Sequence, residues 1–338
     1  MKRIYGIILT FAALLFITAC TADSTETARQ SQQLQLSADF AGTGAQTRTA
    51  TSDLQATHID ATNTVGAFIY RKDATAAVTV DGESYGYTNK EFTVISSLYP
   101  LYSPSQPIFP YKGTGDELHV DVYAYAPYNS TWTALTGTKT FAVKADQKTD
   151  ANYLASDLLW ATPQPDVAPS GSGPYKNLTM AFDHKLTKVI LNISAGDGVS
   201  TSSLTDVDIK LTNVITSGTI DLTDGTVTNA TGTGSRSDVT VFTYGRDQAG
   251  TASAAATGGS AIIYPHSTTE LTAGGKIQLT IGTITYSANL KTTSITELEA
   301  GKKYTYNVSV ASDGISLTAT VNDWDKTEAD RPVTPELQ

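Results

Sequence analysis

The stretch "QLQLSADFAGTGAQTRTA", residues 33–50, carries the question on which the fold turns. Side chains alternate faces along an extended chain, so Leu34, Leu36, Ala38 and Phe40 all point to one side. That pattern predicts a strand with one buried face over 33–40. Gly, Thr and Gln residues follow at once around Arg48, a composition that suits an exposed, cleavable linker. Why a chain should tether a core strand through such a linker is the question the rest of the sequence must answer.

The residues upstream indicate the compartment. Lys2 and Arg3 precede the apolar run "IYGIILTFAALLFIT", which closes on Ala19 and Cys20. A short cationic start, an apolar segment too short for a confident membrane span and a terminal cysteine read as a lipoprotein signal, residues 1–20, with lipobox Cys20. Cys20 is the one cysteine in the chain. A disulfide within the chain is therefore excluded, and acylation of Cys20 is the expected use of the thiol. The expected precursor is a lipoprotein held at the outer membrane.

Composition bounds the class. The chain has 338 residues, of which 17% are charged and 40% hydrophobic, with a net charge of -10. Tyr is abundant at 17 residues against Met 2, Cys 1 and His 4. A polar background rich in β-branched and aromatic residues favours strands. No basic stripe is visible to neutralise phosphates, which argues against nucleic acid as a partner.

Period-2 stretches recur along the chain. "VGAFIYRK" (65–72), "ELHVDVYAYAPY" (117–128) and "YLASDLLWA" (153–161) belong to a first set; "LTMAFDHKLTKVILNISA" (178–195), "GKIQLTIGTITYSANLKT" (275–292) and "GISLTATVNDW" (314–324) belong to a second. Short strands at this spacing, separated by Gly, Asn, Asp and Pro clusters, predict an all-β chain of β-sandwiches. "PQPDVAPSGSGPYKN", residues 163–177, is the expected boundary, because its Pro and Gly residues oppose continuous strand or helix. It divides a sandwich over 49–176 from a second over 177–338, with 21–48 as a propeptide.

The search for chemistry is mostly negative. His58, His119, His184 and His266 share no metal-ligand spacing and read as structural or surface histidines. There is no G-x-S-x-G elbow, P-loop or H-E-x-x-H motif, so no catalytic residue, metal or cofactor is expected. "DLTDGT", residues 221–226, lacks the spacing of a calcium loop. Asp323 and Asp325 flank Trp324 and would share a strand face, but no cleft is marked, so they read as solvated edge charges. Tyr123, Tyr125, Tyr128 and Trp132 could stack on sugars, yet the alternation of Tyr123 and Tyr125 before Pro127 favours packing.

Taken in order, "VDVYAYAPY" (120–128), "ASDLLWA" (155–161), "MAFDHKLTKVILNI" (180–193), "AIIYP" (261–265), "LEAGKKYTYNVSV" (298–310) and "LTATVNDW" (317–324) resemble the fimbrillin-type proteins of Bacteroidales, the lipoprotein-derived pilins of type V pili. The resemblance implies two tandem transthyretin-like β-sandwich domains, export as a lipoprotein and trimming by an arginine-specific protease. It implies polymerisation by strand exchange with other copies and other pilin subunits, and adhesion to host or bacterial surface ligands. In that scheme Leu34, Leu36, Ala38 and Phe40 form the removable strand, and cleavage falls between Arg48 and Thr49. Arg29 is a rival site, but a cut there leaves the strand attached.

The donor is expected within 313–338. Ile315, Leu317, Ala319 and Val321 repeat the apolar alternation ahead of Trp324. The alternative is that this segment completes its own domain while Val333 to Leu337 reaches out, although Pro332 and Pro335 make the latter a poor central strand. Stalk, tip and anchor roles in a pilus all fit the sequence. A surface glycan-binding lipoprotein using Tyr125 or Trp132 is the alternative outside the pilus.

Overall fold

The computed structural model describes residues 33–40, 59, 63–74, 78–80, 83–94, 101–102, 119–168, 175–204, 207–232, 234–243 and 258–324. Cys20, Arg29, Arg48, Thr49 and His58 lie outside these residues, as do Asp325 and the rest of the tail over 325–338.

The chain is built almost wholly of strands. The first half contributes β1 (Gln33–Phe40), β2 (Thr64–Arg71), β3 (Val78–Val80), β4 (Glu83–Tyr85), β5 (Tyr87–Val94), β6 (Leu101–Tyr102), β7 (Val120–Ala126), β8 (Lys139–Ala142) and β9 (Leu159–Val167). Then come β10 (Tyr175–His184), β11 (Thr187–Ala195), β12 (Asp208–Ile215), β13 (Ser217–Ile220), β14 (Val227–Asn229), β15 (Arg236–Thr240) and β16 (Phe242–Thr243). The last are β17 (Gly258–Ile263), β18 (Lys276–Ile281), β19 (Ile284–Asn289), β20 (Lys302–Ala311) and β21 (Gly314–Asp323). Among the described residues, the short α-helices Asp150–Leu154 and Thr268–Ala273 and a 3-10 helix at Thr201–Leu204 interrupt them. The all-β expectation holds.

Seven strands form the first sheet in the order β1-β10-β9-β7-β2-β5-β6. Its inner face buries Leu34, Leu36, Val65, Val122, Met180 and Phe182 in one core. The sheet curls until β1 and β6, its two edges, approach each other. A five-stranded sheet, β16-β17-β11-β20-β21, and a four-stranded sheet, β15-β12-β18-β19, supply the second core. Along β20 the buried Tyr304, Tyr306, Val308 and Val310 alternate with half-exposed residues, the signature of a strand with one face against a core.

The join between the halves is more interwoven than the Pro- and Gly-rich stretch suggests. β9 continues to Val167 and β10 starts at Tyr175, so both ends of the 163–177 stretch are strand. Pro163 and Pro165 are tolerated because the register of β9 on β7 shifts between Ala161 and Gln164 and again before Val167, and bulges are where a strand accepts proline. Asp166 there takes a φ of 59°, and its amide donates to Asp121 Oδ1 at 2.8 Å. β10 itself belongs to the first sheet, with Met180 and Phe182 in the first core. In the other direction β8 pairs with β13, Tyr264 donates its hydroxyl proton to the Phe141 carbonyl at 2.9 Å, and Trp132, Phe141, Tyr153 and Trp160 sit in the second core.

Two histidines are structural, as their isolated positions suggest. His266 is 1% exposed. Its Nδ1–H donates to the Tyr264 carbonyl at 2.8 Å, and its Nε2 accepts the Ile215 amide at 3.0 Å. Burial holds its pKa down to about 4, against 6.5 for the free group. The unfolded chain therefore binds a proton that the fold refuses between those values. Stability from this residue is complete above pH 6.5 and declines as pH falls toward 4, by roughly 3 kcal/mol in all. Thermal melts across that interval should show a falling Tm, and His266→Gln should flatten the slope.

Candidate functional site

β1, the strand expected from the sequence to be removable, lies at a sheet edge. β1 runs parallel to β10 in a continuous register from Gln33 opposite Tyr175 to Phe40 opposite Phe182. That ladder is the one strand pairing that β1 makes among the described residues. Leu34, Leu36 and Ala38 are 4%, 1% and 1% exposed, so an eight-residue edge strand carries core side chains. Phe40 lies on the β1 backbone in the same register, and its side chain is outside the described residues. On the outer face the Ser37 and Thr179 hydroxyls are hydrogen-bonded at 2.9 Å.

The surroundings show what the removal of β1 would expose. β10 would lose its parallel partner and present a row of unpaired amides and carbonyls. The space left between β10 and β6 would be floored by Met180, Phe182 and their neighbours in the first core. Such a slot is apolar below and polar along its side. It fits an extended segment with alternating apolar residues.

The expected donor residues sit at the opposite end of the molecule's sheet order. β21 pairs antiparallel with β20 of its own chain over ten residues. It is an edge strand of the five-stranded sheet. Ile315, Leu317 and Ala319 are half-buried against the second core, while Val321 is 44% exposed. Trp324 follows and is 1% exposed. Its ring stacks on His184 with centroids 3.8 Å apart and planes inclined by 4°. His184 in turn contacts Asp157 Oδ1 through Nδ1 at 2.9 Å, and Lys188 Nζ lies 5.7 Å from the Trp324 ring centre. Asp323 pairs with Lys302, as an edge charge would.

β10 therefore carries two features that sequence reading treats separately. Tyr175–Phe182 pair with β1, and its last residue, His184, stacks on Trp324, the tryptophan that follows β21. The alternation of Leu178, Met180 and Phe182 marks β10 as a strand. Nothing local marks β1 or Trp324 as its partners: the paired β1 residues lie 142 positions away along the chain, and Trp324 lies 140 from His184.

Two residues of the aromatic cluster, Tyr125 and Trp132, prove to be core, while Tyr123 and Tyr128 are half-buried. Tyr125 is 1% exposed and Trp132 is 5% exposed, with ring centroids 4.6 Å apart. The Tyr125 hydroxyl donates to Asn89 Oδ1 at 2.6 Å, and burial raises its pKa well above that of a free phenol. Neither ring presents a face to a sugar. Among the described residues no group of three or more His, Cys, Asp or Glu side chains is arranged to hold a metal ion.

A family model described as fimbrillin-like matches residues 47–324. The chain belongs to the fimbrillin-like family. The match opens beside Arg48, leaving β1 outside it, and closes on Trp324, leaving out the tail. Among solved structures, a candidate cell adhesion protein of Bacteroides uniformis is similar with a TM-score of 0.60. It is 20% identical, and the likeness covers 86% of this chain and 99% of the other. A candidate cell adhesion protein of Bacteroides ovatus gives 0.60 at 17% identity over 86% and 97%. At such identities the likeness shows the fold. No curated protein matches the chain. Membership of the fimbrillin-like family supports a fimbrial subunit role at the cell surface.

The burial of β1 sets a measurable stability. Leu36→Ala should lower the unfolding free energy of the uncleaved protein by about 2 to 5 kcal/mol in urea titrations. Gln35→Ala, on the exposed side of the same strand, should change it by less than about 0.5 kcal/mol.

Proposed function

We propose that the protein is a pilin, a structural subunit of a type V pilus, whose first strand is a temporary plug. The observation that carries this reading is the contrast within β1. Three of its side chains are core residues, yet its backbone is held by one parallel ladder at a sheet edge.

Export as a lipoprotein, with Cys20 acylated, delivers the folded precursor to the outer membrane. An arginine-specific protease then cuts after Arg48, and the mature chain begins at Thr49. While the linker is intact, β1 is bound at the high effective concentration of a tethered segment. Cleavage turns the same contact into a bimolecular one, and the peptide dilutes away. The emptied slot takes a strand from another subunit, with backbone pairing for affinity and alternate side chains for register. A contact between different surfaces of successive copies does not close, so it propagates as a filament. The resulting fimbria serves adhesion and biofilm formation, and other pilin subunits join through the same slot.

The start of the fimbrillin-like match at residue 47 supports a mature unit beginning near Thr49. A cut at Arg29 would free the lipid but leave β1 seated. An anchor subunit would keep both lipid and plug, and a tip subunit would fill its slot without donating a strand. The glycan-binding alternative loses its proposed platform, because Tyr125 and Trp132 are buried.

Two experiments test this. Amino-terminal sequencing of fimbriae sheared from cells should read from Thr49, and Arg48→Ala should abolish fibres while Arg29→Ala leaves them. A lipid still on Cys20 in assembled fibres, or fibres from Arg48→Ala cells, would contradict the reading. Separately, Ser37→Cys with Thr179→Cys should lock the plug, since the native hydroxyls are 2.9 Å apart. Under oxidising conditions the cleaved double variant should stay monomeric, and reductant should restore polymerisation.

A further inference from the structure

We infer that the first seven residues of β10, Tyr175–Ala181, are an order–disorder switch: they keep their place in the sheet only while a strand is paired beside them. On the strand-exchange reading above, on which this rests, removal of β1 does not leave a finished slot. It frees one wall of the slot, and the strand that enters next has to rebuild that wall.

The ladders on the two sides of β10 are unequal. β1 is paired with it at every residue from Tyr175 to Phe182. β9 is paired with it only at Phe182, Asp183 and His184, opposite Ala161, Trp160 and Leu159. Among the described residues Tyr175–Ala181 thus have a single ladder, and it is the one that loss of β1 removes. The cause lies in β9. Continuing its register on β10 would set Pro163 opposite Met180 and Pro165 opposite Leu178, and neither proline has an amide to give. β9 also shifts register against β7 on both sides of Gln164, so this bulged stretch offers β10 no regular edge.

Side chains alone do not hold the segment once that ladder is gone. Met180 is buried in the first core and Leu178 is half-buried against it, while Asn177 and Thr179 are exposed. Fixing seven residues in one conformation costs more entropy than burying one methionine and part of a leucine returns. The far end of β10 stays anchored. His184 is paired with Leu159, contacts Asp157 Oδ1 at 2.9 Å and stacks on Trp324. Just beyond it the Lys185 amide donates to the Leu158 carbonyl at 2.9 Å, and the Lys185 ammonium lies 5.0 Å from the centre of the Trp160 ring. The hinge therefore falls between Ala181 and Phe182. A subunit with this wall unfolded presents no standing sheet edge to stray strands, and its affinity for an incoming strand is reduced by the fraction of time the wall is folded. Assembly is thereby favoured where a donor is held close by, at high local concentration.

The test is digestion by a lysine-specific endoprotease, which passes over Arg48 and compares Lys176 inside the segment with Lys185 beyond the hinge. A protease cuts a segment that has opened, not a strand packed on a sheet. The uncleaved precursor, the monomer cut at Arg48 and freed of its amino-terminal piece, and fibres are digested side by side. Cutting after Lys176 should be about tenfold or more faster in the cleaved monomer than in the other two. Lys185 should stay uncut in all three. A synthetic peptide of residues 33–40 added to the cleaved monomer should restore protection of Lys176, and the same peptide carrying Leu36→Asp should not.

Equal rates at Lys176 in precursor and cleaved monomer, whether fast or slow, would overturn the switch, as would failure of the 33–40 peptide to protect it. If cleaved monomers with a protected Lys176 still form fibres, the slot is preformed and strand exchange stands without the switch. An amino-terminal piece that never leaves the cut protein, with no fibres formed, would instead remove the strand-exchange reading and the switch with it.

Discussion

The parallel ladder between β1 and β10 is the contact on which the rest depends. It is a single line of backbone hydrogen bonds at a sheet edge, reinforced by Leu34, Leu36 and Ala38 in the first core. Burying two leucines is worth about 3 to 6 kcal/mol, and a whole domain is stable by only about 5 to 15 kcal/mol. A contact of that size cannot be lost without a substitute. On the proposed function, loss of β1 by cleavage makes the first sheet a receptor for another strand.

The fold places the consequences of that contact along one strand. β10 is flanked by β1 on one side and β9 on the other, and it ends at His184. His184 stacks on Trp324, the residue that pins the end of β21. The strand that pairs with β1 is thus also the strand whose last residue holds Trp324, just beyond β21. The two halves interlock through β8 on β13 and the Tyr264 bond to the Phe141 carbonyl.

Sequence reading reached the elements whose causes are local. The alternation of 33–40 and 314–324 is a property of a few consecutive residues, and it shows as strands β1 and β21. The isolation of His184 and His266 from any ligand spacing was enough to read them as structural, and the Tyr125–Pro127 pattern marked that tyrosine as core. What it did not reach depends on partners far away in the chain. The two prolines of β9 read as a linker because their tolerance comes from a register shift against β7. The assignment of β10 to the first sheet, and the stack of Trp324 on His184, follow from pairings that no local pattern encodes. Arg48 and Cys20 lie outside the described residues, so cleavage at the one rests on the family resemblance and acylation of the other on the signal-like pattern of residues 1–20.

Hydrogen exchange along β10 is the most direct test of the replaceable plug. The account expects the amides of residues 176–182 that pair with β1 to be protected in the uncleaved precursor. They should exchange quickly in the cleaved monomer and regain protection in fibres, while the β11–β20 ladder stays protected throughout. Unchanged protection of β10 across all three forms would mean that β1 never leaves its seat, and would contradict the account.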